Sequence, residues 1–205
     1  MSITLVLILI TSGISFYAWK QPAVLSGFLM NPYMVLRRGQ YYRLVTSGFV
    51  HGSHLHLLFN MFSFYFFGSA VEVLFSYIFG SLGGIYYILL YLLAIVFSDV
   101  PTLIKHQNNP AYNSLGASGG VAAVIFAFIL FLPLEDICFY GVLCFPGFIL
   151  GLAYIIYSYV QGKRSADKIN HDAHLYGALF GVVYCAVLYP ASLQIFIEQI
   201  KNWHW

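Results

Sequence analysis

The chain has 205 residues, 60% of them hydrophobic and only 8% charged, and it carries a formal net charge of +2 with neutral histidines. Soluble domains carry about 25% charged residues, so this composition excludes an ordinary water-soluble enzyme and points to an all-α, polytopic membrane protein surrounded by membrane lipids. No basic block offers a nucleic-acid partner, and no length is left over for a second, soluble domain, so residues 1–205 read as one membrane domain. The three cysteines, Cys138, Cys144 and Cys185, fall in apolar stretches. Their odd number and lack of metal-ligand spacing favour free core thiols.

The first predicted span covers residues 3–19. It lacks a basic leader and a small-residue cleavage site, so it is expected to stay in the protein. Residues 20–48 form a long connection broken by Pro22, Gly27, Pro32 and Gly39, and such a loop is expected to fold onto its neighbours. The second span runs over residues 54–73 and opens with His51, His54, His56 and Asn60; Glu72 closes it. The third covers residues 82–104 and bends or ends near Asp99 and Pro101. The fourth, residues 118–132, is short: its 12-residue apolar run from Val121 to Leu132 rises about 18 Å, against a hydrocarbon core of about 30 Å. The fifth spans residues 138–160, with a kink expected at Pro146 and Gly147. The sixth spans residues 173–197, kinked or ended near Pro190. Tyr17, Trp19, Tyr157, Tyr159, Trp203 and Trp205 sit where an interfacial aromatic belt lies.

Polar residues at membrane depth are costly and mark function. Ser118 stands in Gly116–Ala117–Ser118–Gly119–Gly120, where a polar loop turns into the apolar fourth helix. His174, Gly177 and Gly181 are i, i+3 and i+7 on one face of the sixth helix, and such glycines let another backbone approach closely. If that face meets the small face of the fourth helix, Ser118 and His174 form a nucleophile and a general base. His56 and Asn60, at i and i+4 on the second helix, are candidate side-chain donors to an oxyanion, with the Ser118 backbone N–H as a third. Asp172 lies on the wrong face to orient His174, so the pattern predicts a dyad. His51, His54 and His56 lack the spacing of a helical zinc motif. Asp99 has no partner aspartate, and the repeats of a transporter are not visible.

In motif order, the chain resembles the rhomboid intramembrane serine proteases of the minimal six-helix bacterial type. The resemblance implies Ser118 as nucleophile and His174 as base, with Gly116, Gly119, Gly177 and Gly181 as the supporting glycines. It implies His56 and Asn60 as oxyanion-hole side chains, and structural roles for His51, Arg43, Gly68 and Glu72. It implies no metal or cofactor. The substrate would be the transmembrane segment of another membrane protein, admitted between the second and fifth helices. A catalytically silent rhomboid-like binder of membrane helices is the alternative. The chain departs from the family at Ala122, where a tyrosine often stacks on the histidine; the expected alternatives are another aromatic, Phe126 or Tyr176, or a histidine held by packing alone. It departs again in charge. Lys20, Arg37, Arg38, Arg43, Lys105, Lys163, Arg164 and Lys168 lie on the side of the active-site loops and only Lys201 on the other. By the positive-inside rule those loops would be cytoplasmic, whereas the family places them on the extracytoplasmic side of the bacterial inner membrane, which is the orientation adopted.

Overall fold

The computed structural model describes residues 2–139, 142–164 and 169–204. Lys168 and Trp205, counted above for charge and for the aromatic belt, lie outside them. The described chain is mostly helical, and its helices gather around one short, buried member.

Helix α1 (Ile3–Lys20) begins against a carboxylate. Glu72 accepts hydrogen bonds from Ser2 Oγ (2.6 Å), Ile3 N (2.7 Å), Thr4 N (2.9 Å) and Thr4 Oγ1 (2.7 Å). The first N–H groups of a helix have no intrahelical partner, and a negative charge there also complements the helix dipole. Thr4 Oγ1 further lies 2.8 Å from the Tyr87 hydroxyl, so one cluster ties three helices. The buried face of α1 is Thr4, Thr11, Ser15 and Ala18, all small enough for close approach.

The long connection is folded, as expected, into three short helices: α2 (Pro22–Phe28), α3 (Pro32–Arg38) and α4 (Arg43–Thr46). Pro22 and Pro32 occupy first-turn positions, where a missing N–H costs nothing. Buried Arg43 fastens the loop. Its Nη1 donates to the Ser26 and Leu29 carbonyls at 2.8 Å each, and its Nε donates to Gln40 Oε1 at 2.6 Å.

Helix α5 (His54–Ser63) runs through a π turn (Phe64–Gly68) into α6 (Ser69–Phe79). The chain reverses at Gly80, whose φ of 57° suits glycine, and returns as α7 (Gly83–Ser98). Gly83 lies on the Phe75 carbonyl, and Phe64 stacks on Tyr91 at 4.4 Å. Helix α8 (Val100–His106) follows a break at Asp99, where the sequence places a bend. The short helix α9 (Ser118–Phe131) is buried along most of its length and packs against α7, α10, α11, α12 and the π turn. At its far end Gln199 Nε2 donates to the Phe131 carbonyl at 3.1 Å.

Two expectations are corrected beyond α9. The fifth span does not begin at residue 138. Asp136–Phe139 (β1) and Leu143–Pro146 (β2) pair as antiparallel strands, and helix α10 starts at Gly147 and runs to Arg164. A short apolar run reads alike as strand or helix, and Pro146 cannot supply the N–H of a helix interior. The hairpin register sets Cys138 opposite Cys144, with Cα atoms 3.9 Å apart, and the two form a disulfide; Cys185 is free and buried. Loop closure by the hairpin, invisible in the cysteine spacing, is what brings the thiols together. Helix α11 (His171–Leu188) breaks near Pro190, and α12 (Ala191–Lys201) leaves at 112° to it. By length and apolar character two helical stretches, Ile3–Lys20 and His54–His106, can cross a membrane, or three if the bent α11–α12 pair counts as one.

Glu72→Ala removes the acceptor of four hydrogen bonds. It is expected to lower unfolding stability in detergent by about 1.5–3 kcal/mol, the range for a bond to a charged group. An unchanged unfolding midpoint would contradict that role.

Candidate active site

Ser118 is the first residue of α9, so its backbone N–H is one of the helix's orphan donors. The approach to it is pinned from three directions. Ser114 pairs with Met30 of the first connection through two backbone hydrogen bonds of 2.9 and 3.0 Å. Gly116 N donates to the Ser47 carbonyl at 2.9 Å, and Ala117 N donates to His51 Nε2 at 3.4 Å. Because His51 Nε2 accepts, its Nδ1 carries the proton, and that atom lies 3.0 Å from Ser15 Oγ, which donates to the Phe49 carbonyl. The His51 carbonyl accepts from Trp19 Nε1 at 2.6 Å. His51 thus connects α1 to the turn before Ser118 from a fully buried position.

Gly116 has φ 114°, a conformation that side-chain-bearing residues rarely adopt. It also has no room for a side chain: a Cβ there would lie 2.6 Å from Cε1 and 2.9 Å from Nε2 of His56. The His56 ring is therefore seated on the backbone two residues before Ser118. Asn60 is buried, and its Nδ2 donates to the His56 carbonyl at 3.0 Å, which leaves its second amide hydrogen. His54 turns away and packs at a tilt against Trp19, with ring centroids 4.2 Å apart, so the three histidines of this segment do not converge.

Helices α9 and α11 meet backbone to backbone. A Cβ on Gly177 would run into the Gly119 carbonyl, and one on Gly181 into the Ala123 carbonyl. Gly119 in turn sits against the Ser98 hydroxyl of α7. Ser118 and His174 flank this crossing, both half-buried. Among the described residues no hydrogen bond joins Ser118 Oγ to His174.

The start of α11 is held by Asn170. Its Oδ1 accepts from Ala173 N and from Thr102 Oγ1 at 3.1 Å each, and its Nδ2 donates to buried Asp99 Oδ1 at 3.3 Å. Asp172 is half-buried and pairs with Lys105 of α8 at 2.9 Å. Among the described residues the ring contacts of His174 are with neither Phe126 nor Tyr176; the His171 ring meets His174 edge-on at 5.8 Å. Tyr154 of α10 lies over it, with ring centroids 6.3 Å apart and planes 20° apart, while Tyr176 is 43% exposed. Two cavities border the site. One of about 20 Å³, room for about one water, is lined by Ser98, Asp99, Ser114, Ser118 and Asn170. The other, of about 420 Å³, is apolar and lies between the π turn, α9 and α10, with Phe67, Ala122, Phe126, Ile129 and Tyr154 in its wall.

Comparison with known proteins matches residues 38–191 to the rhomboid domain. The chain belongs to the rhomboid family. The match contains Arg43, His51, His56, Asn60, Glu72, Ser118 and His174, and α1 precedes it. Among relatives, the chain is 26% identical over 168 residues to RHOMBOID-like protein 12, mitochondrial, of Arabidopsis thaliana, covering 76% of this chain and 50% of the relative. It is 30% identical over 199 residues to Presenilin-associated rhomboid-like protein A, mitochondrial, of Danio rerio, covering 91% of this chain and 48% of the relative. The chain thus spans about half the length of these rhomboid relatives.

Tyr154, Asn170 and the Met30–Ser114 bridge are site elements that the sequence reading did not single out. Two had signals. Gly147, Gly151 and Ser158 mark the inward face of α10 at helical spacing, and Tyr154 is the large polar residue on it. Asn170 followed by an acidic first turn is a helix-start pattern. The bridge has none.

Gly177→Val would drive a branched side chain into the Gly119 carbonyl. It is expected to cost at least about 1–3 kcal/mol, the range for overpacking a tight core, measured as a lowered unfolding midpoint in detergent. Wild-type stability would mean that the α9–α11 contact is looser than described.

Proposed function

We propose that this protein is an intramembrane serine endopeptidase that hydrolyses peptide bonds in or near transmembrane helices through a Ser118–His174 dyad. The observation that carries the reading is the crossing of α9 and α11 at Gly119 and Gly177, next in sequence to the serine and one helical turn from the histidine. Ser118 Oγ attacks the scissile carbonyl while His174 takes its proton and returns it to the leaving amine. The acyl-serine that remains is hydrolysed by water activated by the same base. The oxyanion receives the Ser118 N–H, the remaining Asn60 amide hydrogen and the His56 ring. Catalytic hydrogen bonds often tighten only in the complex, which accommodates the unbonded state of Ser118 here. No metal or cofactor is invoked.

Transmembrane segments of other membrane proteins are the proposed substrates, with lipid as the surroundings and no nucleic acid involved. The apolar groove beside Ala122, one turn along α9 from Ser118, fits a side chain of an unwinding membrane helix. The alternative, a silent binder of membrane helices, draws on the missing Ser118–His174 hydrogen bond. The two readings separate on chemistry. A fluorophosphonate serine probe and a cleavage assay with a reconstituted transmembrane substrate are expected to give signal for wild type and none for Ser118→Ala or His174→Ala. Asn60→Ala is expected to slow turnover about 10²–10³-fold, as for one oxyanion donor. Asp172→Asn is expected to retain turnover, since its ion pair lies outside the dyad. Cleavage that survives Ser118→Ala would overturn the protease reading.

We further propose six spans, one membrane domain, and active-site loops opening to the extracytoplasmic side. The basic residues of those loops and the Cys138–Cys144 disulfide weigh the other way, because disulfides persist in oxidising compartments and the hairpin would face the opposite side from the site. Single cysteines at Lys105 and Lys163, in a background lacking the native cysteines, are expected to react with an impermeant maleimide outside intact cells. Reaction only after the cytoplasm is opened would reverse the orientation and leave the chemistry standing.

A further inference from the structure

Helices α9 and α10 are joined by the hairpin β1–β2, and the chain enters α10 directly from it. Gly147 N donates to the Glu135 carbonyl and Phe148 N to the Pro133 carbonyl, at 3.0 Å each. The first turn of α10 is thereby fastened to the chain that leaves α9. Within the hairpin Ile137 is set opposite Phe145 and Cys138 opposite Cys144. Ile137 is half-buried and stands in the wall of the apolar groove, together with Ile129 of α9 and with Leu150, Gly151 and Tyr154 of α10. The residue next to a disulfide cysteine is therefore part of that wall. The two bonded cysteines are themselves exposed, whereas Cys185 is buried. A two-stranded hairpin is marginally stable by itself, and a cross-link acts mainly by restricting the open chain. Ser118 is remote from the bond, since it opens α9 and the hairpin follows the far end of that helix.

We propose that the Cys138–Cys144 disulfide is a reversible thiol switch on the apolar groove. Oxidised, it holds Ile137 in the groove wall; reduced, it releases the hairpin and weakens binding there. The proposal rests on the reading of the groove, given above, as the seat of a substrate side chain. The step is thiol–disulfide exchange with a dithiol reductant. One thiolate of the reductant attacks the sulfur of an exposed cysteine and forms a mixed disulfide, while the other cysteine leaves as a thiolate and takes up a proton. The second thiolate of the reductant then displaces the first cysteine, which is protonated in turn. Two electrons pass from the dithiol to the disulfide, leaving two cysteine thiols and the reductant as its own disulfide. A disulfide oxidant reverses the step. In the orientation proposed above the hairpin faces the cytoplasm, where disulfides are made and broken rather than kept. A side chain entering the groove of the reduced protein has to order the hairpin as it binds, and that ordering lowers its affinity.

The test uses the full chain in detergent, oxidised and after reduction with dithiothreitol, with the state of the pair read as the mass added on alkylation. Binding of a fluorescently labelled transmembrane substrate peptide is measured on Ser118→Ala protein, so that no cleavage intervenes. Reduction is expected to raise Kd about two- to tenfold, the scale of ordering one side chain, and reoxidation to restore it. In wild type KM is expected to rise by the same factor, with kcat and the fluorophosphonate labelling rate changed less. The double variant Cys138→Ser with Cys144→Ser is expected to bind like the reduced protein under both conditions. Equal Kd in the two redox states would overturn the proposal, as would an equal shift in the double variant. Acid-trapped cells producing the wild type are expected to hold both forms of the pair, and a pair found in one form only would also overturn the switch. If wild type cleaves no faster than Ser118→Ala, the protease reading fails, and the Kd comparison still decides this inference.

Discussion

The contact between α9 and α11 is the constraint on which the rest depends. In lipid there is no hydrophobic force pressing two helices together, because the surrounding chains are as apolar as the helix faces. Association has to come from close van der Waals fit, and that fit is made here by glycine. Gly119 faces Gly177 and Ala123 faces Gly181 with no space for a Cβ on either α11 glycine. Residues bordering such a crossing are held at short range by the backbone itself. The proposed Ser118–His174 pair would inherit its geometry from the packing of the fold.

A second set of devices settles the polar groups that a membrane interior cannot hydrate. Glu72 and Arg43 each use one side chain to satisfy several backbone groups at once, and His51 adds a third tie. Glu72 takes the first N–H groups of α1, Arg43 takes two loop carbonyls, and His51 takes the Ala117 N–H while its own carbonyl accepts from Trp19. Irregular backbone at membrane depth survives only when protein covers it. The long first connection does that covering, through the Met30–Ser114 bridge and through Asn31, whose Nδ2 donates to the Pro110 carbonyl and to Asn113 Oδ1. The loop that leads into Ser118 is therefore fixed by the first connection of the chain, far from it in sequence.

The two cavities divide the surroundings of the site by polarity. The small one is lined by hydroxyls, Asn170 and Asp99 and has the size of a water position. The larger one is apolar and opens along α10. The hydrolysis proposed above would need both a polar place for water and an apolar place for the substrate. Tyr154 stands where the apolar groove meets the histidine, and α10 is bounded by the disulfide-closed hairpin at one end and by basic residues at the other.

The membrane class, the helix that starts at Ser118, the break near Asp99, the glycine face of α11 and the bend near Pro190 were legible in the sequence, because each follows from composition or from local periodicity. The strands at 136–146 were not, since a short apolar run carries no decisive period. The Cys138–Cys144 pair depended on that hairpin, and the Met30–Ser114 bridge on the path of a long loop. The ring over His174 is the clearest case. The sequence showed that position 122 is alanine; the rhomboid resemblance implied an aromatic against the histidine, with Phe126, Tyr176 or packing alone as the alternatives. Only the packing of α10 against α9 brings Tyr154 to the histidine, because a contact between two helices is decided by their relative placement, and that placement is a property of the whole assembled core.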